Sequence, residues 1–353
     1  MDWRDFNYYI NENGDIDQLV DSMGDCILQS IYLIERKVLN KPDFYIAFLN
    51  EITMILGETK HGDFIRINNI ENVMNKSLFE LIMHSGINEK APEKITEIIN
   101  SGSAAIMHVI IERFPFAQQY DPKYLKSEIR SEHAFLIVHE DEENYYFVDN
   151  PAIVRRENFT AYEKNPQIGI LSKKDFSLYT KDYCDVYEVK FNIERINDAI
   201  INWKSAYFNS YVNYYKPEET LKSKRNLYGK LALNELRKVF EEERFSLDDL
   251  APTNDRDMMK YFLWRIWILK GRRMLQKVYL DSLNERNGNK YSSLADALLN
   301  DTKSWEKFSQ ELVKNDMRRK NVLGKQYLPL IDGIIECEDK LNIEYGKLFS
   351  INF

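Results

Sequence analysis

The chain has 353 residues, of which 44% are hydrophobic and 29% are charged, and its formal net charge is −8. This composition excludes a disordered chain, and the length is sufficient for two domains with a sizeable core. The N-terminus is acidic with no apolar core, no apolar run approaches the roughly 18 residues of a membrane span, and the three cysteines lie far apart. We therefore expect a cytoplasmic protein with no signal peptide, membrane contact, disulfide framework or zinc site.

Charge and pattern divide the chain near residue 192. Residues 193–353 contain 28 Lys and Arg and 24 Asp and Glu, a net charge of +4, so the remaining residues carry −12. The acidic first part argues against nucleic acid as its ligand. Helix and strand patterns are mixed in residues 1–192, whereas residues 193–353 contain long helical patterns. The sequence predicts an α+β domain over 1–192 and a helical domain over 193–353.

A helix is predicted to begin after Gly24, with Asp25 as its N-cap. Its apolar residues recur at helical spacing, at Ile27, Ile31, Ile34 and Val38. Cys26 then lies in the first turn, where unpaired amides and the helix dipole favour a thiolate. In most proteins a cysteine at such a position is a small buried side chain, so further residues must decide its role.

The middle of the first domain predicts helices and strands in alternation. We expect helices at about 43–56, 70–84 and 92–100, and strands at about 64–67 and 104–113. His108 lies inside the last of these strands, which predicts a satisfied core histidine. Residues 114–132 form a polar, aromatic loop that we expect to line the substrate entrance. A strand and a short helix are predicted within 167–179, and a final strand follows Cys184.

The residues from His133 to Pro151 predict a β-hairpin with strands at 134–138 and 145–148. His133 opens the first strand and Asp149 closes the second, so both lie at the same end of the hairpin. An aspartate beside a histidine can fix the tautomer of the imidazole and stabilise its cation.

Cys26, His133 and Asp149 together supply the nucleophile, base and orienting group of a cysteine enzyme. An oxyanion hole would use the backbone amide of Cys26, and Gln18, eight residues upstream, is a candidate second donor. The sequence contains no glycine-rich phosphate loop and no metal-ligand cluster. We therefore expect no metal and no other cofactor.

These residues resemble the butirosin-biosynthesis acyltransferase family, which is related to the double-glycine peptidases and has a papain-like fold. The resemblance covers roughly residues 10–192. Its features are Asp25-Cys26, Gly102-Ser103 before a strand, the segment 116–120, His133, Asp149 and the segment ILSKKDF at 170–176. One departure is Asn150, which separates Asp149 from Pro151 where the family has Asp-Pro directly.

The resemblance implies a papain-like catalytic domain over 1–192, and the helical patterns of residues 193–353 predict an all-α domain after it. It also implies transfer of an acyl, aminoacyl or peptidyl group through a cysteinyl thioester during natural-product assembly. The donor would be an acyl or peptidyl carrier protein and the acceptor a small amine. The peptide ligases of closthioamide assembly are neighbours of this kind. Two alternatives remain open: a cysteine peptidase or amidase with the same three residues, and a non-catalytic protein that binds peptides in the cleft.

The C-terminal half predicts helices at about 197–215, 217–243, 254–285, 291–313 and 327–349. Residues 261–275 are apolar on several faces, which predicts the central helix of a bundle with Trp264 and Trp267 in its core. Arg272, Arg273 and Lys277, together with residues 318–320, form a predicted basic surface. Such a surface can dock an acidic carrier protein, but an ordinary solvated face is the favoured explanation.

Overall fold

A computed structural model describes residues 2–6, 26–39, 54–59, 62–67, 78–84, 90–117, 132–150, 158–181, 183–221, 224–243, 245–246, 258–317 and 322–349. The helices there are α1 (Cys26–Leu39), α2 (Ala91–Asn100), α3 (Lys173–Thr180), α4 (Ile193–Ile201), α5 (Lys204–Tyr214), α6 (Gly229–Glu241), α7 (Met258–Asn287), α8 (Ser292–Met317) and α9 (Leu328–Phe349). The strands are β1 (Met54–Thr59), β2 (Gly62–Ile67), β3 (Phe79–His84), β4 (Ala105–Ile110), β5 (Glu132–Glu140), β6 (Asn144–Val148), β7 (Thr160–Tyr162), β8 (Asn165–Ser172), β9 (Cys184–Phe191), β10 (Glu219–Leu221), β11 (Lys224–Tyr228), β12 (Phe245–Ser246) and β13 (Val322–Leu323).

The chain forms two compact units. The first comprises Met1–Asp21, Asp25–Phe44 and Phe79–Asn192, and the second comprises Ser22–Gly24, Tyr45–Leu78 and Ile193–Phe353. The sequence assigns all of residues 1–192 to one domain, whereas Tyr45–Leu78, which includes β1 and β2, packs with the second unit.

The first unit is an α+β structure built on a seven-stranded antiparallel sheet. The strand order is β3-β9-β4-β5-β6-β8-β7, so the hairpin of β5 and β6 lies in the middle of the sheet. A central hairpin has paired neighbours on both edges, β4 on one side and β8 on the other. This pairing fixes the register of the strands that carry the candidate site.

One face of this sheet is covered by an aromatic core. Alternate residues of β4, β5, β6 and β9 pack there with helix α2, helix α3 and the segment after β4. Its largest side chains are Phe114, Phe116, Phe135, Tyr145, Phe147 and Phe176. Phe116 stacks on Phe147 with ring centroids 4.4 Å apart. Each aromatic ring buries about 150–250 Å², so this core holds the hairpin firmly against its neighbours.

Helix α1 begins at Cys26 and packs against β4 and β5. The sequence predicts one buried stripe, and two of its members, Ile31 and Ile34, are fully buried. All side chains from residue 28 to residue 35 are in fact buried, so this part of the helix is enclosed on every side. Burial raises the pKa of Glu35 well above its ordinary value, because the charged form is disfavoured away from solvent.

The turn between β5 and β6 is organised by Asp141. One carboxylate oxygen accepts hydrogen bonds from the backbone amides of Glu143 (2.9 Å) and Asn144 (2.7 Å), and the other accepts from the Tyr146 hydroxyl at 2.8 Å. The pairing shifts by one residue between Ile137 and His139, which is a β-bulge. The hairpin is the predicted one, with strands extended by one or two residues at most ends.

The far end of the hairpin binds the N-terminal residues. Trp3 stacks on His139 with centroids 4.4 Å apart, and the Asn165 side-chain amide donates to the backbone carbonyls of Arg4 (2.9 Å) and Phe6 (3.0 Å). His139 therefore lies at the opposite end of β5 from His133, in an aromatic anchoring contact.

The second unit combines long helices with a four-stranded sheet of order β10-β11-β1-β2. The sequence predicted an all-α domain over residues 193–353. That prediction is wrong, because this unit contains strands as well as helices. The helix predicted at 217–243 begins only at Gly229, after two strands. Gly229 has φ +44°, and a Cβ there would lie 2.4 Å from the carbonyl oxygen of Tyr214. The first residue of helix α6 is therefore a position that requires glycine.

Three of the long helices, α7, α8 and α9, meet around buried ionic groups. Arg273 contacts Asp301 and lies 2.7 Å from a carboxylate oxygen of Glu338, which also accepts from Trp305 at 3.1 Å. The predicted basic surface is therefore wrong for Arg272 and Arg273, which are both 2% exposed. Lys277, also predicted there, is only partly exposed and forms an ion pair with Asp281. Residues 318–320 of that surface lie outside the described residues. Trp267, predicted in the core, is 41% exposed, and the side chain of Trp264 lies outside the described part.

Two predicted helices of the N-terminal half are also corrected. The helix predicted at 70–84 is wrong over Phe79–His84, which form β3 paired with β9, and the helix predicted at 43–56 overlaps β1. In both places pairing with a strand far along the chain overrides the local periodicity. Among the helices that the structure describes, none is long and apolar enough to cross a membrane.

Candidate active site

Cys26 is the first residue of helix α1. Its carbonyl oxygen accepts a hydrogen bond from the Ser30 hydroxyl at 2.8 Å, while its side chain is partly exposed. The backbone amides of a first helical turn have no partner within the helix. The thiol therefore lies at the positive end of the helix dipole, which favours a thiolate.

The hairpin brings His133 and Asp149 together. Nε2 of His133 lies 2.8 Å from Oδ1 and 3.0 Å from Oδ2 of Asp149, and the two residues are only 6% and 7% exposed. Their separation follows from the antiparallel pairing, in which Leu136 lies opposite Val148. His133 and Asp149 continue this pairing towards the same end of the sheet, as the sequence predicts.

Asp149 is held by a second contact. The backbone amide of Asn150 donates to its Oδ1 at 2.6 Å, and Asn150 is itself buried. Asn150 is the residue that departs from the family pattern, and its amide helps to orient the carboxylate. The additional residue Asn150 therefore leaves Asp149 within hydrogen-bond distance of His133.

Burial disfavours a charged imidazole at His133, but the charge and hydrogen bond of Asp149 outweigh it. Together with the hydrogen bond and charge of Cys26, they raise the pKa of His133 to about 10. His133 is therefore an imidazolium at neutral pH, in which both ring nitrogens donate. Nε2 is engaged by Asp149, which leaves Nδ1 for the sulfur of Cys26. A cation in this position stabilises a thiolate.

The other two cysteines have different surroundings. Cys184 begins β9 in the aromatic core, where burial raises its pKa to about 12. Cys337 lies on helix α9 in the second unit. Of the three, Cys26 is the one that interacts with a histidine in the described part of the chain.

Several predicted features lie outside the described residues. These are Gln18, Asp25 and most of the loop 114–132, including Tyr120. The Gly102-Ser103 pair of the family pattern is described and forms the turn between α2 and β4, with Gly102 at φ +85°. Among the described residues no group of His, Cys, Asp and Glu has the arrangement of a metal site.

The sequence did not reveal a second polar cluster near this site. His108, predicted as a core residue, is only partly buried, and its Nδ1 lies 2.9 Å from the Tyr183 hydroxyl. Tyr183 also donates to Asp185 at 3.0 Å, and Nε2 of His108 lies 3.8 Å from Glu132. The one sequence feature that could have indicated this cluster was Glu132, which directly precedes His133.

No protein-family model matches this chain, and a search of curated proteins finds no significant match.

Proposed function

We propose that the protein is a cysteine acyltransferase that forms an amide bond through a thioester on Cys26. The observation that carries the proposal is the contact of His133 with both carboxylate oxygens of Asp149, while Cys26 is its other partner. Covalent acyl transfer uses three groups together: a nucleophile, here at a helix N-terminus, a histidine, and a carboxylate that orients the histidine.

In the first half-reaction the thiolate of Cys26 attacks the carbonyl carbon of a donor thioester. The carbon–sulfur bond to the donor breaks, and the leaving thiolate takes the proton of the His133 imidazolium. The acyl-enzyme therefore contains a neutral His133. In the second half-reaction an amine attacks the acyl carbon, the bond to the Cys26 sulfur breaks, and His133 accepts a proton from the amine nitrogen.

The oxyanion that forms in both steps needs hydrogen-bond donors. The backbone amide of Cys26, at the start of helix α1, is one proposed donor. Gln18 is the proposed second donor.

The chemistry also suggests the partners and the location. A carrier-protein thioester already carries the activation energy for amide formation, so the proposal includes no nucleotide, metal or other cofactor. The proposed acceptor is a small amine in natural-product assembly. The proposed catalytic domain has a papain-like fold. A free thiolate nucleophile must stay reduced, which favours the cytoplasm.

Intact-mass analysis tests the proposal. The protein is incubated with an acyl N-acetylcysteamine thioester, and an amine is then added. A mass increase of one acyl group, retained in buffer and lost to the amine with formation of the amide, supports a transferase. Rapid release of free acid in buffer would indicate a cysteine peptidase or amidase instead. A protein that never acquires the acyl group would contradict both activities and leave a binding role.

A further inference from the structure

Ser30 lies one turn after Cys26 on helix α1 and has no role in the steps above. Its hydroxyl donates to the carbonyl oxygen of Cys26 at 2.8 Å, and the residue is 4% exposed. In a regular α-helix the same carbonyl also accepts the backbone amide four residues further on, which is that of Ser30. A single buried residue therefore offers two donors to the carbonyl of the proposed nucleophile.

Helix stability does not account for a serine at this position. Alanine has the higher helix propensity, and a serine hydroxyl that bonds back to the fourth preceding carbonyl slightly destabilises a helix and often bends it. All residues from 28 to 35 are buried, so position 30 lies in the enclosed part of the helix. An alanine would fit there and would bury no hydroxyl. The effect of the Ser30 hydroxyl is therefore to be sought at its acceptor, Cys26.

Cys26 occupies the part of a helix that is least restrained. It is the first residue of α1 and is partly exposed, and the ends of helices fray. In a helix each Cα–Cβ bond tilts towards the N-terminus. The thiol of the first residue therefore keeps its direction only while that residue keeps helical dihedral angles. A second hydrogen bond to the Cys26 carbonyl opposes fraying at this residue and so restrains the thiol.

The imidazole that interacts with this thiol is restrained by its own contacts. Nε2 of His133, on strand β5, lies 2.8 and 3.0 Å from the two carboxylate oxygens of Asp149, and the backbone amide of Asn150 donates to that carboxylate. The sulfur and the imidazole are thus carried by two different elements, a helix and a strand. Their contact needs a restraint on each element, and Asp149 provides the one on the strand.

We propose that Ser30 is a positioning residue that holds the thiol of Cys26 towards Nδ1 of His133. This inference rests on the proposed role of Cys26 as the nucleophile. Ser30 acts through the backbone of Cys26 and exchanges no proton in either half-reaction. Its hydroxyl keeps the sulfur close to the imidazolium, which favours the thiolate. It also keeps the sulfur in a fixed orientation for attack on the donor carbonyl.

The test is the pH dependence of Cys26 alkylation by iodoacetamide, with peptide mapping by mass spectrometry to assign the modified cysteine. In Ser30→Ala we expect alkylation at neutral pH to be about 2- to 10-fold slower, the effect of one hydrogen bond, and the profile to shift to more alkaline pH. Single-turnover acylation by the thioester should slow by a similar factor. The urea midpoint should not fall, because alanine favours the helix and the Cys26 carbonyl keeps its amide partner.

Ser177→Ala is the matched control. The Ser177 hydroxyl makes the same kind of bond, at 3.0 Å to the carbonyl of Lys173, which is the first residue of helix α3. Helix α3 carries none of the three proposed site residues, so the alkylation profile of Cys26 and the acylation rate should match those of the wild type. The two variants differ in whether the released carbonyl belongs to the nucleophile.

A double variant separates positioning from a direct effect on the thiol. When His133 is already replaced by alanine, Ser30→Ala should slow alkylation no further, because the two residues act on one contact. Equal slowing in both backgrounds would overturn the proposal. So would a wild-type profile in Ser30→Ala, or a shifted profile with a lower urea midpoint, which indicates a structural effect. Alkylation needs no thioester, so a wild-type protein that forms no acyl-enzyme would overturn the proposed function, while the alkylation comparison still decides the role of Ser30.

Discussion

Nε2 of His133 lies within hydrogen-bond distance of both carboxylate oxygens of Asp149, at 2.8 and 3.0 Å. Such a carboxylate holds the ring in one orientation and stabilises its cation, while Nδ1 remains available to the Cys26 thiol. In the proposed mechanism Asp149 orients the histidine and His133 transfers the proton, and variants can distinguish these two roles.

Asp149→Asn should impair acyl transfer less than His133→Ala does. The amide occupies the position of the carboxylate but cannot stabilise the imidazolium. In serine enzymes this change costs about 10⁴-fold in turnover. A thiol ionises more readily, so we expect about 10- to 10³-fold here. Single-turnover rates of acylation measure the difference, and a larger loss for Asp149→Asn than for His133→Ala would contradict the assigned roles.

His133→Ala should also change the pH dependence of Cys26 alkylation by iodoacetamide. Without the imidazolium, the Cys26 sulfur loses a cationic partner, so alkylation at neutral pH should slow and require more alkaline solution. Rates measured by intact mass across the pH range give the profile. An unchanged profile would mean that His133 and Cys26 are not partners.

Cys26→Ala should abolish both acyl-enzyme formation and product. The reason is that Cys26 alone among the three cysteines interacts with a histidine in the described residues. Cys184→Ala and Cys337→Ala serve as matched controls and should retain turnover within a few-fold. Normal turnover by Cys26→Ala would rule out a covalent mechanism through this residue.

The positions of Cys26, His133 and Asp149 in the fold were predictable because their signals are local. The run from His133 to Asp149 alternates and turns as a hairpin does, and helical spacing placed Cys26 in a first turn. The pair of His108 and Glu132 was not predictable, because it depends on the register between β4 and β5. The spacing of residues along the sequence does not show which residues of two strands lie opposite each other.

The errors in the fold have a related cause. Phe79–His84 and Met54–Thr59 occur in segments with helical periodicity, but each pairs with strands that are remote in sequence. Arg273 was predicted on a basic surface because its partners, Asp301 and Glu338, lie on two other helices. Long-range contacts therefore decided the elements that local patterns assigned wrongly.

The ion pairs of Arg273 should be important for the stability of the second unit. Glu338→Ala removes one partner of a buried guanidinium and should lower the free energy of unfolding by about 3–5 kcal/mol. Asp332→Ala is the matched control, since it removes the partner of the more exposed Arg237 and should cost at most about 1 kcal/mol. Urea titration followed by circular dichroism compares the two variants. Equal midpoints would contradict a structural role for the buried pair.

The raised pKa of His133 predicts how the stability of the protein depends on pH. The ordinary pKa of a histidine is about 6.5, whereas that of His133 in the folded protein is about 10. Between these values the folded state binds a proton that the unfolded state has released, so this contribution to stability is complete below pH ~6.5 and disappears as the pH rises through ~10. The slope is at most about 1.4 kcal/mol per pH unit, the value for one proton. Urea unfolding of the wild type and of His133→Gln at several pH values should show a steeper decline in the wild type. Parallel curves would mean that His133 is not a buried cation in the folded protein.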